Sequence, residues 1–275
     1  MEKIGRTWSL MSECWQVLKA DKSLLVFPLI SGFCCLLLLA SFAIPIFVTG
    51  AWHPPGRDAE QARQVAYYGT LFAFYAANYF IVIFFNAALI ACAATRLGGG
   101  TPSIGDGLRV AASRLPAIAG WALVSATVGL ALRIIEDKSD KVGQIVAGLL
   151  GMAWTAVTSL VVPVLVLEQK GPFAAVRDSA GLLKKTWGEQ LTAHFSFGTI
   201  FFVLLIPAIA LVALGGYFGG PVGGIACGVV ALVYVIVLAL VQSALQAIFQ
   251  TALYLYARDG RVEGFRTEVL DSALG

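Results

Sequence analysis

Charge is what this sequence has least of. Its 275 residues include 19 Lys and Arg and 16 Asp and Glu, only 13% of the chain, while 59% are apolar. A soluble domain is about a quarter charged and about half apolar. With so few charges the chain could not keep a water-facing surface wet, which excludes an ordinary soluble globular protein. The net charge of +3 is too small for a nucleic-acid partner. Histidine is scarcer still, with His53 in AWHPPGRD and His194 far along the chain. The two are not at metal-ligand spacing, and there is no H-E-x-x-H. GGGTPS at 98–103 lacks the Gly-Lys-Ser/Thr ending of a phosphate-cradling loop. Serines and threonines in apolar runs have no neighbouring acid or base, so nucleophilic catalysis finds no support. The expectation is a protein with no catalytic centre, no cofactor and no metal.

Cysteine is present but points nowhere. Cys34, Cys35, Cys92 and Cys227 fall in apolar runs and Cys14 near the N-terminus. No C-x-x-C occurs, and buried free cysteine behaves as a small hydrophobe. No short apolar run followed by a cleavage site opens the chain, so the first apolar segment is expected to stay as an uncleaved anchor.

What the sequence has is long apolar runs. Six can be read, over about 24–49, 66–95, 116–135, 143–167, 191–218 and 222–257, each near or above the roughly 20 residues that cross a ~30 Å hydrocarbon core. The expected fold is all-α: a polytopic membrane helical bundle in a single domain, with residues 1–23 an interfacial helix and 258–275 a tail. Lys and Arg fall unevenly between alternating connections. Fourteen lie in the N-terminal segment, in 96–115, in 168–190 and in the tail, and five in the other loops. By the positive-inside rule both termini are cytoplasmic, in the inner membrane.

Three cytoplasmic connectors carry one apolar stripe each at helical spacing. The first is Ile4, Trp8, Met11, Trp15 and Leu18. The second is Ile104, Leu108, Ala111 and Leu115, opened by Ser103 and Asp106 as a capping box. The third is Phe173, Val176, Ala180, Leu183 and Trp187, after Pro172. A short helix with one apolar face, basic residues elsewhere and Trp at an end suits the headgroup plane. Trp8, Trp15, Arg109, Arg114, Arg177, Lys184, Lys185 and Trp187 are therefore candidate contacts for membrane lipids or a protein partner. Each connector precedes an outward span, so three copies of one unit are conceivable.

DKSLLVFPLISG (21–32), PVLVLEQKGPFAAVRDSAGLLKKTWGE (163–189) and ALYLYARDGRVEGF (252–265) carry a family resemblance. Together they resemble an uncharacterised family of bacterial and archaeal six-helix membrane proteins, known as a domain of unknown function. The middle stretch is also similar, more weakly, to membrane regions found beside glycerophosphoryl diester phosphodiesterases. The resemblance implies topology and location, and it transfers no functional residue.

Polar residues within the spans are few. Gln242, Gln246 and Gln250 lie at i, i+4 and i+8, and Asn86 lies at a similar depth in the second span. Such groups face the bundle interior. They either bond helix to helix or line a polar vestibule, with Thr155, Thr158 and Ser159 as further candidates. No Asp, Glu or Lys lies mid-span, so ion-coupled transport is disfavoured, and Arg133 near an outer end is expected to pair with Glu136. Pro45, Pro163 and Pro207 could kink helices. Gly216, Gly220, Gly224 and Gly228, and Gly143, Ala147 and Gly151, recur every four residues as packing ridges or a homodimer seam. Two functions remain: a membrane-organising scaffold acting through its basic connectors, which the repeated connectors favour, or a channel-like or carrier-like protein for a small neutral or amphipathic molecule.

Overall fold

The structure, a computed structural model, describes residues 2–49, 61–138, 141–185 and 187–259; within these, the side chains of 2–10, 46, 48–49, 62, 138, 142, 183–185, 187–199 and 259 are not described. Among the described residues every regular element is helical, as the composition requires. The order is α1 (Glu2–Ala20), a 3₁₀ turn (Lys22–Leu25), α2 (Val26–Thr49), α3 (Gln61–Leu97), α4 (Ile104–Ser113), α5 (Leu115–Lys138), α6 (Lys141–Thr158), α7 (Val161–Leu167), α8 (Pro172–Lys185) and α9 (Trp187–Asp259). Among the described residues, five stretches are long and apolar enough to cross a membrane: Lys22–Pro45, Arg63–Leu97, Leu115–Asp137, Gly143–Leu167 and Ile200–Arg258.

The last of these is not straight. Gly220 has φ 61 and ψ −156, outside the helical region, and the chain reverses there. Glycine takes this conformation without the Cβ clash that other residues suffer. Pro221 then stands in the first turn of the returning arm, where its missing N–H is no loss. The two arms lie close. A Cβ added to Gly223 would come 2.6 Å from the Gly215 carbonyl oxygen, and one on Gly224 3.4 Å from the Gly216 Cα. Farther along, the Tyr234 hydroxyl donates to the Leu204 carbonyl at 2.8 Å. The turn falls between the runs read over 191–218 and 222–257, so the four-residue glycine series is split between two arms. Gly216 and Gly224 face each other across a turn at Gly220 and do not share one helix face. Gly151 and Ala147 do pack as expected: Ala147 is buried, and a Cβ on Gly151 would meet Leu132 at 3.7 Å.

The span expected over 143–167 is two helices. Pro163 has no N–H to give Ser159, and its ring would crowd that carbonyl, which favours a break here. It stops at Thr158 and restarts at Val161. Ser179, fully buried on α8, bridges the gap: its hydroxyl donates to the Val157 carbonyl at 2.6 Å and accepts from the Leu160 N–H at 3.3 Å. In a dry interior, backbone groups freed by a break need such a partner. Pro45 and Pro207, by contrast, sit inside continuous helices.

α3 is the hub, touching α2, α4, α5, α7 and α9. The core gathers where the connectors meet the helices: Leu24, Phe27, Leu89, Ile90, Ile118, Leu160, Leu165, Ile248, Leu253 and Tyr254. α4 sits so close to α3 that a Cβ on Gly107 would lie 2.6 Å from Cys92 Sγ and 2.7 Å from the Ala88 carbonyl oxygen. Away from this end apolar side chains are bare, including Phe33, Phe47, Phe202, Ile225 and Val233. α4 lies on α3, and α8 on α6 and α7, the helices just before each. α1 lies on α9.

Candidate functional site

Three of the four amides singled out from the sequence line one cavity. It holds about 190 Å³ and is walled by Pro28 and Ser31 of α2, Val82, Phe85, Asn86 and Leu89 of α3, and Ser243, Gln246, Ala247 and Gln250 of α9. Gln246 and Gln250 are one turn apart and share a face. Gln242, another turn up, is half-buried and is not among the lining residues. Among the described residues, no side-chain hydrogen bond joins Asn86, Gln246 or Gln250 to any neighbour, so the interhelical bonds that were one of the two readings of these amides are not formed here. Thr155 and Thr158 do not reach this cavity; their hydroxyls donate to the Gly151 and Trp154 carbonyls of their own helix, and Ser159 donates to Ala156. Ser31 is a polar lining residue that the sequence did not suggest, because a lone serine near a helix start carries no pattern.

A second cluster was missed as a cluster, though its residues stand in two of the stretches quoted above. The Tyr254 hydroxyl of α9 donates to Glu168 Oε1 at 2.5 Å. Lys170 Nζ is 2.5 Å from Glu168 Oε2 and 2.6 Å from Asp178 Oδ2. Arg258 donates to the Tyr254 hydroxyl at 3.4 Å and lies over its ring. This clasp ties the α7–α8 connection to the end of α9. Desolvation pushes the Glu168 carboxyl up, but the hydrogen bonds from Lys170 and Tyr254 outweigh it, and its pKa falls below the ordinary 4.5. The bonds to Asp178 and then Glu168 raise Lys170 above its ordinary 10.5. Gln169, in the middle of the turn, has φ 59, a left-handed conformation uncommon outside glycine.

The three connectors are helical, as α1, α4 and α8. The capping box of α4 is formed: Asp106 N–H donates to Ser103 Oγ at 3.1 Å and Ser103 N–H to Asp106 Oδ2 at 3.2 Å. The Ser103 side chain, then its backbone, hold the Asp106 carboxyl below its ordinary value. On α8 Ala175 and Ser179 are buried; of the stripe read from the sequence, Phe173 is 80% exposed, Val176 packs against the core and Ala180 is half-buried, while the side chains of Leu183 and Trp187 lie outside the described residues. On α1, Cys14 and Leu18 are buried, and burial raises the Cys14 thiol pKa, which makes it inert. Trp15 stays 40% exposed with Lys19 Nζ 5.4 Å from its ring centre.

Trp15 also borders an apolar groove of about 430 Å³ between α1 and the hairpin, with Met11, Phe201, Leu204, Leu238 and Leu245. Arg109 and Arg177 are exposed. Arg114 is half-buried, and its Nε is buried with no hydrogen-bond partner among the described residues. The side chains of Trp8, Lys184, Lys185, Trp187 and His194 lie outside the described residues, as do His53 and the tail from 260. Arg133 pairs with Asp137 at 3.3 Å more closely than with Glu136 at 3.9 Å, because a residue four positions on sits more squarely beneath it. Among the described residues no group of three His, Cys, Asp or Glu could hold a metal ion.

The family of unknown function DUF6159 matches residues 65–265, from α3 to beyond α9. The chain belongs to it. The match spans all residues of the clasp, and Asn86, Gln246 and Gln250 of the cavity; α1 and α2 precede it. No curated protein and no solved structure matches this DUF6159 chain. The weaker resemblance, to membrane regions beside phosphodiesterases, gains no support from these comparisons.

Proposed function

We propose that this DUF6159 protein is a non-enzymatic organiser of the inner membrane. It crosses the bilayer six times with both termini cytoplasmic, and it works by engaging anionic lipid or a protein partner at its connector end. Five membrane-length apolar stretches, the last reversed at Gly220, support six crossings. The excess of Lys and Arg in the connectors supports their cytoplasmic placement.

The observation that carries the organising role is how the connectors are used. Each of α1, α4 and α8 is pinned to the bundle by a buried small or apolar face: Cys14 and Leu18, Ala111, and Ala175 with Ser179. Each then presents aromatic or basic side chains outward: Trp15 and Lys19, Arg109, and Phe173 with Arg177. A rigid platform of this kind attracts an anionic leaflet, each basic side chain near the surface contributing about 1 kcal/mol. The clasp holds the platform to α9.

The test is made on the full chain in nanodiscs. Lipids retained on gentle extraction are identified by native mass spectrometry, with enrichment of anionic over zwitterionic species expected. Arg109→Gln with Arg177→Gln removes that enrichment if the platform reads charge. Equal retention of both lipid classes by the unsubstituted protein sinks the reading. Labelling of a cysteine at position 187 or 273 from outside intact cells would overturn the topology.

A further inference from the structure

The amide cavity carries an inference independent of the connector platform. We propose that it is a binding site for a small uncharged molecule bearing hydroxyl or amide groups. Three carboxamides, Asn86, Gln246 and Gln250, converge on it from two helices, and the hydroxyl-bearing Ser31 and Ser243 complete its polar wall. Each carboxamide offers two N–H donors and a carbonyl acceptor. None of the three is hydrogen-bonded within the described residues. The three are half-buried and border one space, so an occupant that both donates and accepts can pair with all of them.

The walls define that occupant further. No charged side chain lines the cavity, so an ion there would have no counter-charge among the walls. The remaining surface is Pro28, Val82, Phe85, Leu89 and Ala247, which suits a carbon skeleton. At about 190 Å³ the space is smaller than the roughly 300–1,000 Å³ of drug-sized sites, so the ligand has only a handful of heavy atoms. Two walls are fixed firmly. Leu89 and Ala247 are buried in the core, and Thr251 secures the same stretch of α9 by donating to the Ala247 carbonyl at 2.7 Å. The site is therefore preformed, which lowers the entropic cost of binding.

The probes are glycerol, acetamide and urea, with acetate and guanidinium as charged counterparts of similar size. The full chain, its five native cysteines replaced by alanine or serine and carrying Gln246→Cys, is held in nanodiscs and treated with a neutral hydrophilic thiol reagent. Modification is expected to be slowed severalfold by at least one neutral probe and not by acetate or guanidinium. A control cysteine at Lys19, on the exposed surface of α1, is expected to show no such protection. A thiol that never reacts means a dry cavity. Reaction without protection by any neutral probe means water alone fills it. Equal protection by charged probes means the amides select an ion. Each of these three results overturns the proposal. Because the cysteine variant could misfold, binding of labelled glycerol, acetamide and urea to the unsubstituted protein is measured as well. Asn86→Leu and Gln250→Leu are each expected to weaken binding about tenfold, the loss of one to two neutral hydrogen bonds. Neither substitution touches the connectors, so lipid enrichment should persist in both.

Discussion

Ser179 shows how much one hydroxyl can decide. It serves two backbone groups at the α6–α7 break, donating to the Val157 carbonyl and accepting from the Leu160 N–H. Ser179→Ala should lower stability by about 1–3 kcal/mol, the usual consequence of stranding buried polar groups, measured by reversible unfolding in mixed micelles. Ser179→Cys, which keeps the shape and a weak donor, should recover part of the loss. Gln169 predicts the opposite sign. Its φ of 59 is strained for a side chain with a Cβ, and the position follows the end of α7, where glycine is preferred. Gln169→Gly should therefore stabilise by up to about 1 kcal/mol, visible as a higher unfolding midpoint. Neither residue could be picked out of the sequence. Ser179 reads as one polar position in a charged connector, and Gln169 as one letter of EQKGP. Their roles come from a carbonyl and a backbone angle that no side-chain pattern records. Asn86, Gln246 and Gln250 were legible because an amide in an apolar run is conspicuous in one dimension.

At the scale of elements, the clasp between the α7–α8 turn and α9 titrates. Glu168 is lowered in the folded state, so its contribution is present above the ordinary 4.5 and is lost as pH falls through the folded value. Lys170 is raised, so its contribution is present below the ordinary 10.5 and is lost as pH climbs through the folded value. The stability difference between the unsubstituted protein and Glu168→Gln should thus be level across neutral pH and shrink on acidification below about pH 4.5. Unfolding midpoints of both proteins from pH 3 to 8 check this; a difference that grows in acid contradicts the assignment. Glu168→Gln and Tyr254→Phe should also be non-additive by about 0.5–3 kcal/mol, since the two groups share a bond.

α4 gives a steric case. Gly107→Leu cannot fit where even a Cβ meets Cys92 Sγ and the Ala88 carbonyl, so α4 should lift from α3. Faster proteolysis between 97 and 114 would report it. The existence of these helices was readable from apolar periodicity and the Ser103–Asp106 box. The burial of Ser179 on α8 was not, because its partners are backbone groups at a break that the periodicity does not show.

The whole molecule is unevenly packed. In the most apolar window of the Ile200–Arg258 stretch only 6% of residues are buried, whereas residues 244–254 of the same stretch lie in or against the core. Truncations should follow this division. Ile248→Ala is expected to cost about 2–5 kcal/mol, as deletion from a packed core does. Val233→Ala, facing outward, should fall within about 0.5 kcal/mol. Similar losses at both sites would show that the hairpin packs against something else, a second copy of the chain being the first to examine. The connectors repeat a relation at this scale: α4 and α8 lie on the helices before them, and α1 closes the series by lying on α9. Sequence spacing hinted at three units, but slight side-chain identity hid which surfaces correspond.

Composition and apolar run length by themselves determined the all-helical class, the membrane-length segments and the few polar residues worth watching. These follow from local physics: a backbone in an apolar environment must satisfy its own hydrogen bonds, and helices do so within a single run of chain. Tertiary structure alone decided which amides share a cavity, which connector face is buried, and that Glu168 meets Tyr254 eighty-six residues away. Those outcomes depend on how finished helices rotate and pack, and contacts between distant residues leave no trace in the periodicity of either segment.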